Sequence, residues 1–337
     1  MKISKIKILP YSIDFFKPFK TSIRSYTNRE GLWLKVYFED YVGYGEVAPM
    51  EGFNNETIKD AYYSLEGFKC AVENELYDKE DLLSLIHIHT CDVPSARFGL
   101  ETAIFDILSK INNLSLAKYL NQDNQSEISI NGISDVHFPE DGFKIIKVKA
   151  GFRNIFDEIE NMHYLTEFYG PQVKFRLDLN GSLDLPKAIR FCKEMEKFNI
   201  DYIEQPINAQ QLEDSAELRY HTSIPIALDE SLTDYNSVEQ IIDLQAADVF
   251  IIKPMCSGGY IVSKKIIKLI KSEQLKPIVT TLLESHVGQL SCLHLASANN
   301  IIDSCGLATG GLLDENINLI KINNGVAKIP MKSGLGL

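Results

Sequence analysis

The sequence predicts an α/β protein, a TIM-like (β/α)7-8 barrel that follows a smaller N-terminal α+β domain. Short apolar runs alternate with helix-like stretches from about Ile128 onward, the pattern of a parallel sheet built from repeated βα units. The 337 residues exceed one average domain and suit a barrel with an addition. Charged residues also recur at the C-terminal ends of successive predicted strands.

In the first part, Leu32, Leu34, Val36 and Phe38 alternate with other residues, while Trp33 and Tyr37 make the opposite face partly apolar. That is period-two strand patterning. Val42-Gly43-Tyr44-Gly45 reads as a turn into another short strand. Ile104, Ile107, Leu108 and Ile111 then fall at helical spacing. The polar, turn-prone segment from Asn121 to Ser126 is the candidate boundary. It divides the chain into residues 1–120, joined by the C-terminal tail from about 312 to 337, and a barrel over 121–311.

Within the barrel the apolar runs are Ile145 to Val148, Val173 to Leu177, Tyr202-Ile203, Ile224 to Leu228, Val249 to Ile252 and Ile278-Val279. Ile128 to Ile130 and Ile302-Asp303 bring the count to eight, enough for closure. Val262, Ile266, Leu269 and Ile270 mark one intervening helix face.

Composition excludes several function classes. With 34 Lys+Arg against 46 Asp+Glu the net charge is −12, which disfavours nucleic acid and anionic membrane as partners. No apolar stretch reaches the roughly 20 residues of a membrane span, and Met1 to Phe15 shows no long uninterrupted apolar run before a small-residue cleavage site. The six scattered cysteines contain no C-x-x-C pair and read as buried free thiols of a reducing compartment, with the cytoplasm expected. Oligomeric state stays open.

Lys149, Asp178, Glu204, Asp229 and Lys253 each end a predicted strand and lie 29, 26, 25 and 24 residues apart. Each interval is about one βα unit, and the C-terminal strand ends of a barrel form one rim. A single Asp after a strand is more often a solvated loop residue or a helix cap. Five strand ends in succession reading K, D, E, D, K are poorly explained one at a time. Three carboxylates without His or Cys make an oxygen-only donor set for Mg²⁺, with Mn²⁺ as substitute. The flanking lysines then suit base and acid or electrostatic partner in work on a small-molecule carboxylate. Lys147 points to the same face as Lys149; it either lowers the pKa of Lys149 or forms a salt bridge to a rim carboxylate.

Other features read more plainly. Gly258-Gly259 and Gly310-Gly311 are turns or helix starts, and no phosphate-loop pattern exists. Neither His87-x-His89 nor His286 has zinc-like spacing. Phe15 to Ser22 and Gly52-Phe53 are either a lid over the barrel mouth or ordinary loop packing.

These residues carry a resemblance. Lys147-x-Lys149, Asp178-x-Asn180, Ile203-Glu204-Gln205-Pro206, Leu228-Asp229-Glu230-Ser231 and Ile252-Lys253-Pro254 resemble the muconate-lactonizing subgroup of the enolase superfamily. The similarity runs along nearly the whole chain. Gly43-Tyr44-Gly45-Glu46-Val47-Ala48-Pro49 resembles that family's capping-domain motif, and Gly334-Leu335-Gly336 its ending. Within the subgroup the o-succinylbenzoate synthases are most similar, through Pro49 to Glu56, Arg176, Leu282 to Gly288 and Gly306 to Gly310.

The resemblance implies an N-terminal capping domain and Mg²⁺ held by Asp178, Glu204 and Asp229. It implies Lys149 as base, Lys253 on the other face, Lys147 tuning Lys149, and Asn180 and Glu230 supporting them, Glu230 toward Lys253. Substrate contacts are implied for Arg176, Thr281, Glu284, Ser285 and Gly306. The implied reaction is syn dehydration of 2-succinyl-6-hydroxy-2,4-cyclohexadiene-1-carboxylate in menaquinone biosynthesis. The alternative is an N-succinylamino acid racemase or dipeptide epimerase of the same subgroup. Thr280, Thr281, His286 and Ala308 depart from the synthase pattern. Leu307-Ala308-Thr309 lacks the D-x-D of dipeptide epimerases, acids coming only at Asp314 and Glu315.

Overall fold

The computed structural model describes residues 1–20, 25–134, 142–314 and 320–337; Thr21, Ser22 and Glu315 lie outside them. Strands Lys5–Lys20 (β1), Ser25–Phe38 (β2) and Tyr41–Val47 (β3) form an antiparallel sheet in the order β1-β2-β3. Helices Ile58–Val72 (α1), Lys79–His89 (α2), Pro94–Ile111 (α3) and Leu116–Leu120 (α4) follow. Thr57 starts α1 with a reciprocal capping box to Asp60, and Pro94 occupies the opening turn of α3, where its missing N–H costs nothing.

Gly43 and Gly45 lie inside β3, and the chain reverses at Glu39-Asp40 instead. The glycines serve packing rather than turning. A Cβ on Gly45 would stand 2.0 Å from the Gly99 carbonyl oxygen, and one on Gly43 2.1 Å from that of Ala103. Helix α3 therefore lies directly on the β3 backbone. On its other side Phe98 stacks against Tyr260, ring centroids 6.2 Å apart, so α3 is buried on nearly every face. Gly45→Ala should force helix and strand apart and cost about 3 kcal/mol, read as a lowered thermal midpoint.

The rest of the chain delivers alternating elements. Strands Glu127–Ser129 (β4) and Gly132–Ile133 (β5) lead into Ile145–Lys149 (β6), helix Ile155–Tyr169 (α5), Lys174–Asp178 (β7), Leu185–Met195 (α6), Ile200–Glu204 (β8) and Leu212–Arg219 (α7). Then come Ile226–Leu228 (β9), Tyr235–Asp243 (α8), Val249–Ile252 (β10), Pro254–Ser257 (α9), Gly259–Ser272 (α10), Lys276–Val279 (β11) and His286–Ala298 (α11). Strands β5 to β11 form one parallel seven-stranded sheet in sequence order. It curls into a barrel-like layer whose strands are buried and apolar, as helices on the outside require.

Two of the eight anticipated strands differ. Ile128 pairs antiparallel with Ala327 in a small separate sheet, β4 with Ile322–Asn323 (β12) and Val326–Lys328 (β13). Ile302-Asp303 is not a strand, and the Ile302 side chain is exposed. Buried Cys305 and half-buried Gly306 take the eighth position through single parallel bridges, Cys305 to Ile130 and Gly306 to Thr280. The cysteine reading is corrected as well: Cys192, Cys256, Cys292 and Cys305 are buried, but Cys70 and Cys91 are exposed, and all six are free. Among the described residues no helix is long and apolar enough to cross a membrane.

The sheet register sets the rim. Lys149 lies beside Asp178, Asp178 beside Glu204, and Glu204 beside Ala227, two positions before Asp229. The helices behind begin at polar caps such as Asn154, Asp184 and Asp234. Asp184 and Asp234 thus show the ordinary use of an acid after a strand. Asp178 and Asp229 are placed differently.

Candidate active site

Side chains from five strand ends meet at this rim. Lys147 Nζ lies 2.9 Å from Asp178 Oδ2 and 2.7 Å from Glu204 Oε1. Lys149 Nζ lies 3.0 Å from the same Asp178 oxygen and also donates to Asn180 Oδ1. From the end of β10, with three strands between it and β6, Lys253 Nζ reaches Asp229 Oδ2 at 2.5 Å. Asn180 in turn donates to Glu230 Oε1 at 2.7 Å. The direct partner of Glu230 is therefore Asn180 rather than Lys253. The salt-bridge alternative for Lys147 describes its geometry, and because two ammoniums share one Asp178 oxygen they also lie close to each other.

Unusual backbone holds these groups. Asn180 (φ 45°), two residues past β7, and Gln205 (φ 40°), directly after β8, both occupy the left-handed region, where strain at a functional rim is commonly found. Gln205 was quoted in a motif but given no role by sequence reasoning. Its Oε1 accepts from Asp229 N at 3.0 Å and Ser231 N at 3.3 Å, and its Nε2 donates to Ile207 O and Ser231 Oγ, each at 2.9 Å. One buried amide thus fixes the loops that present Glu204 and Asp229. Only its burial between two polar loops, invisible in sequence, reveals this.

Electrostatics follow from burial and charge. Burial alone would lower the Lys147 pKa, but Asp178, Glu204 and Asp229 outweigh it and hold it well above the ordinary value. Lys253 is raised too, Asp229 and Glu230 overcoming its burial. Burial pushes Glu204 up to about 8, with Lys147 opposing and the carboxylates of Asp178 and Asp229 adding to the rise. Burial also opposes ionisation of Asp178, yet Lys147 and Lys149 bring its carboxyl well below the usual range.

A cavity of about 700 Å³ opens over the rim. It is lined by Lys147, Lys149, Asp178, Asn180, Asp229 and Lys253, together with Thr281 and Gly306 among the anticipated substrate contacts. Phe15, Lys17, Phe19 and Phe53 from the N-terminal domain complete one wall, so the segments read as lid or loop do face the mouth. Thr309, anticipated only within a motif, lines it beside Thr281, their hydroxyl oxygens 2.5 Å apart.

Three anticipated substrate contacts sit elsewhere. Arg176 lies below the rim, bonded to Asp201 Oδ2 at 2.9 Å, Asn131 Oδ1 at 2.9 Å and Ser304 O at 2.7 Å, with Tyr202 under its guanidinium. Those contacts commit it to joining strands. Glu284 and Ser285 are buried at the junction with the N-terminal sheet. Ser285 donates to Glu46 Oε2 at 2.6 Å and accepts from Trp33 Nε1 at 2.8 Å. Glu46 also accepts from the backbone N–H groups of Ser285 and Gly288, satisfying donors at the start of α11.

Burial, with Glu46 adding to it, pushes Glu284 up to about 7. A carboxyl with a raised folded-state pKa favours folding fully below its unfolded value near 4.5, and that contribution disappears as pH rises through about 7. Wild-type protein should lose on the order of 3 kcal/mol from this group between those limits. Glu284→Gln should flatten the change and gain stability over wild type at pH 8, measured by urea unfolding at both ends.

The donor set fits a divalent cation. Asp178, Glu204 and Asp229 follow successive strands with no His or Cys among them, Lys147 bridges the first two, and Glu204 Oε2 is buried without a hydrogen-bond partner, an acceptor that a cation would satisfy. Among the described residues no group of three or more His, Cys, Asp or Glu side chains stands as a metal-binding cluster; each of these carboxylates is turned to a lysine.

Residues 136–337 match the family described as Enolase C-terminal domain-like, and residues 3–107 match MenC, N-terminal domain. An L-amino acid-D/L-Glu epimerase of Francisella philomiragia is 27% identical over 89% of this chain and 88% of its own. An N-succinyl-L-Arg/Lys racemase of Bacillus cereus is 24% identical over 100% and 95%. An o-succinylbenzoate synthase of Bacillus subtilis is 25% identical over 100% and 94%. Among solved structures, the L-Ala-D/L-Glu epimerase of Bacillus subtilis superposes with TM-score 0.91 at 23% identity over 100% and 98% of the two chains. A dipeptide epimerase of Enterococcus faecalis V583, complexed with Mg and dipeptide L-Leu-L-Tyr, also gives 0.91, at 21% identity over 100% and 99%. At these identities the structural likeness concerns the fold.

Proposed function

The chain belongs to the Enolase C-terminal domain-like family of the enolase superfamily, in its muconate-lactonizing subgroup, and from that premise we propose that it removes the proton beside the carboxylate of a succinylated substrate. One observation carries this reading: Lys149 and Lys253 enter one cavity from strands separated by three others, with Asp178, Glu204 and Asp229 between them. With a lysine on each side of a bound carbon, the one present as the neutral amine can take a proton from its face while the other, as the ammonium, returns one to the opposite face. That makes racemisation of an N-succinylamino acid the leading assignment, and the racemases and epimerases among the relatives support it.

Asp178, Glu204 and Asp229 are the residues that would hold Mg²⁺. The cation would supply positive charge against the charge that develops on the substrate carboxylate. Lys147, ion-paired with Asp178 and Glu204, would keep these two acids in place. Asn180 would orient Lys149 and relay its position to Glu230.

The wall chemistry supports a second carboxylate on the substrate rather than a free ammonium. Among the described lining residues the acids are Asp178 and Asp229, both ion-paired, while Lys17 stands exposed at the mouth. A cationic amine would leave such a wall without compensation.

A second reading has its own support. The MenC N-terminal match over residues 3–107 and Pro49 to Glu56 favour dehydration of 2-succinyl-6-hydroxy-2,4-cyclohexadiene-1-carboxylate to o-succinylbenzoate. Lys149 would then take the proton and deliver it to the departing hydroxide. With Mg²⁺ present, N-succinyl-L-amino acids should exchange their α-proton in D₂O and lose optical rotation. The cyclohexadiene should be offered in parallel, with ultraviolet absorbance following aromatisation. Turnover of the cyclohexadiene without racemisation selects the second reading; turnover of neither overturns both.

A further inference from the structure

We propose that Phe53, supplied by the N-terminal domain, is a positioning residue for Lys253 and so acts on only one of the two lysine faces. This rests on the proton-transfer reading above. Lys253 Nζ lies 4.1 Å from the centroid of the Phe53 ring, well inside the range of a cation–π contact. The same ammonium also meets Asp229 Oδ2 at 2.5 Å. The side chain of Lys253 is 11% exposed, against 40% for Lys149. Lys149 is held by polar atoms of its own domain, Asp178 and Asn180. The ring is the cross-domain part of the Lys253 setting.

The loop that carries the ring is fastened to the segment that carries the lysine. Met50 O accepts from Phe53 N at 3.1 Å and Asn54 N at 2.9 Å, while Asn54 Oδ1 accepts from Met50 N at 3.1 Å. Gly52 (φ 91°) supplies the left-handed residue this turn needs. Asn54 Nδ2 donates to Met255 O at 3.4 Å, and Cys256 Sγ donates to Asn54 Oδ1 at 3.7 Å. Met255 and Cys256 belong to α9, which starts immediately after Lys253. The ring's loop is therefore tied to the residues that directly follow Lys253. A flexible four-carbon stem pinned between an acid and a π face keeps one approach to the substrate carbon.

Phe53→Leu and Phe53→Met keep an apolar side chain and remove the π face; either serves if the other fails to fold. Phe53→Tyr keeps the face. Substrate hands are assigned by which lysine variant, Lys149→Ala or Lys253→Ala, abolishes α-proton exchange in D₂O. In Phe53→Leu, the rate of α-proton exchange in D₂O for the hand served by Lys253 should fall about tenfold, exchange for the Lys149 hand should stay within twofold, and Phe53→Tyr should restore the first. A second readout needs no substrate: acetic anhydride labelling, quantified by mass spectrometry, with Lys149 as internal reference. The Lys253 to Lys149 labelling ratio should rise at least threefold in Phe53→Leu and return in Phe53→Tyr. Equal loss at both hands, no rescue by tyrosine, or an unchanged labelling ratio overturns the proposal. If wild type exchanges neither hand, the proton-transfer reading fails, and the labelling ratio alone decides whether Phe53 holds Lys253.

Discussion

Lys149→Ala should lower kcat for racemisation by about 10³-fold while leaving the fold intact. The stability half follows from its surroundings. Lys149 is 40% exposed on its side chain, so truncation leaves little void. Its partners keep others, since Asp178 retains Lys147 at 2.9 Å and Asn180 retains Glu230 at 2.7 Å. The thermal midpoint should therefore move by no more than a few degrees. The catalytic half follows from the two-face arrangement. Without Lys149 one hand of substrate finds no base, whereas the other can still lose its proton to Lys253. Exchange in D₂O should persist for one hand and vanish for the other. Under the dehydration reading all turnover should stop. A variant with the wild-type rate would remove Lys149 from the mechanism.

The rim was legible because its logic is one-dimensional. Lys149, Asp178, Glu204, Asp229 and Lys253 repeat at βα-unit intervals, and the parallel register sets Lys149, Asp178 and Glu204 side by side, with Asp229 and Lys253 just beyond that level on the next two strands. What depended on packing between distant segments was not legible. Arg176 precedes Asp178 by two and shares its face, yet it sits a layer lower, where Asp201, Asn131 and Ser304 claim its guanidinium. Glu284 and Ser285 resemble a substrate motif but are drawn to Glu46 and the N-terminal sheet. Gly43 and Gly45 look like a turn until α3 is laid against them. Ile302-Asp303 reads as the eighth strand, whereas the bridges to Ile130 and Thr280 fall at Cys305 and Gly306, of which Cys305 is buried and Ile302 is exposed.

Glu204→Gln should have the second large effect, on the cation. Glu204 is almost wholly buried, with Lys147 on one oxygen and no partner on the other. The amide keeps the volume and removes one of three negative charges, and a hard cation responds to ligand charge and oxygen geometry. Affinity for Mg²⁺ should fall about 100-fold, equivalent to about 2.7 kcal/mol. The fold should survive, because a carboxylate whose pKa burial raises to about 8 is costly to keep ionised. Activity should fall at ordinary Mg²⁺ and recover in part at high concentration. A Glu204→Gln variant with unchanged Mg²⁺ dependence would exclude Glu204 from the cation site.

Calorimetric titration of the wild-type chain with Mg²⁺, repeated with Asp178→Asn, Glu204→Gln and Asp229→Asn, tests most directly whether the three acids act as one site. The account predicts a single ion per chain, with each substitution alone weakening it severalfold to a hundredfold. Failure of the wild type to bind, or binding that ignores all three substitutions, would contradict it.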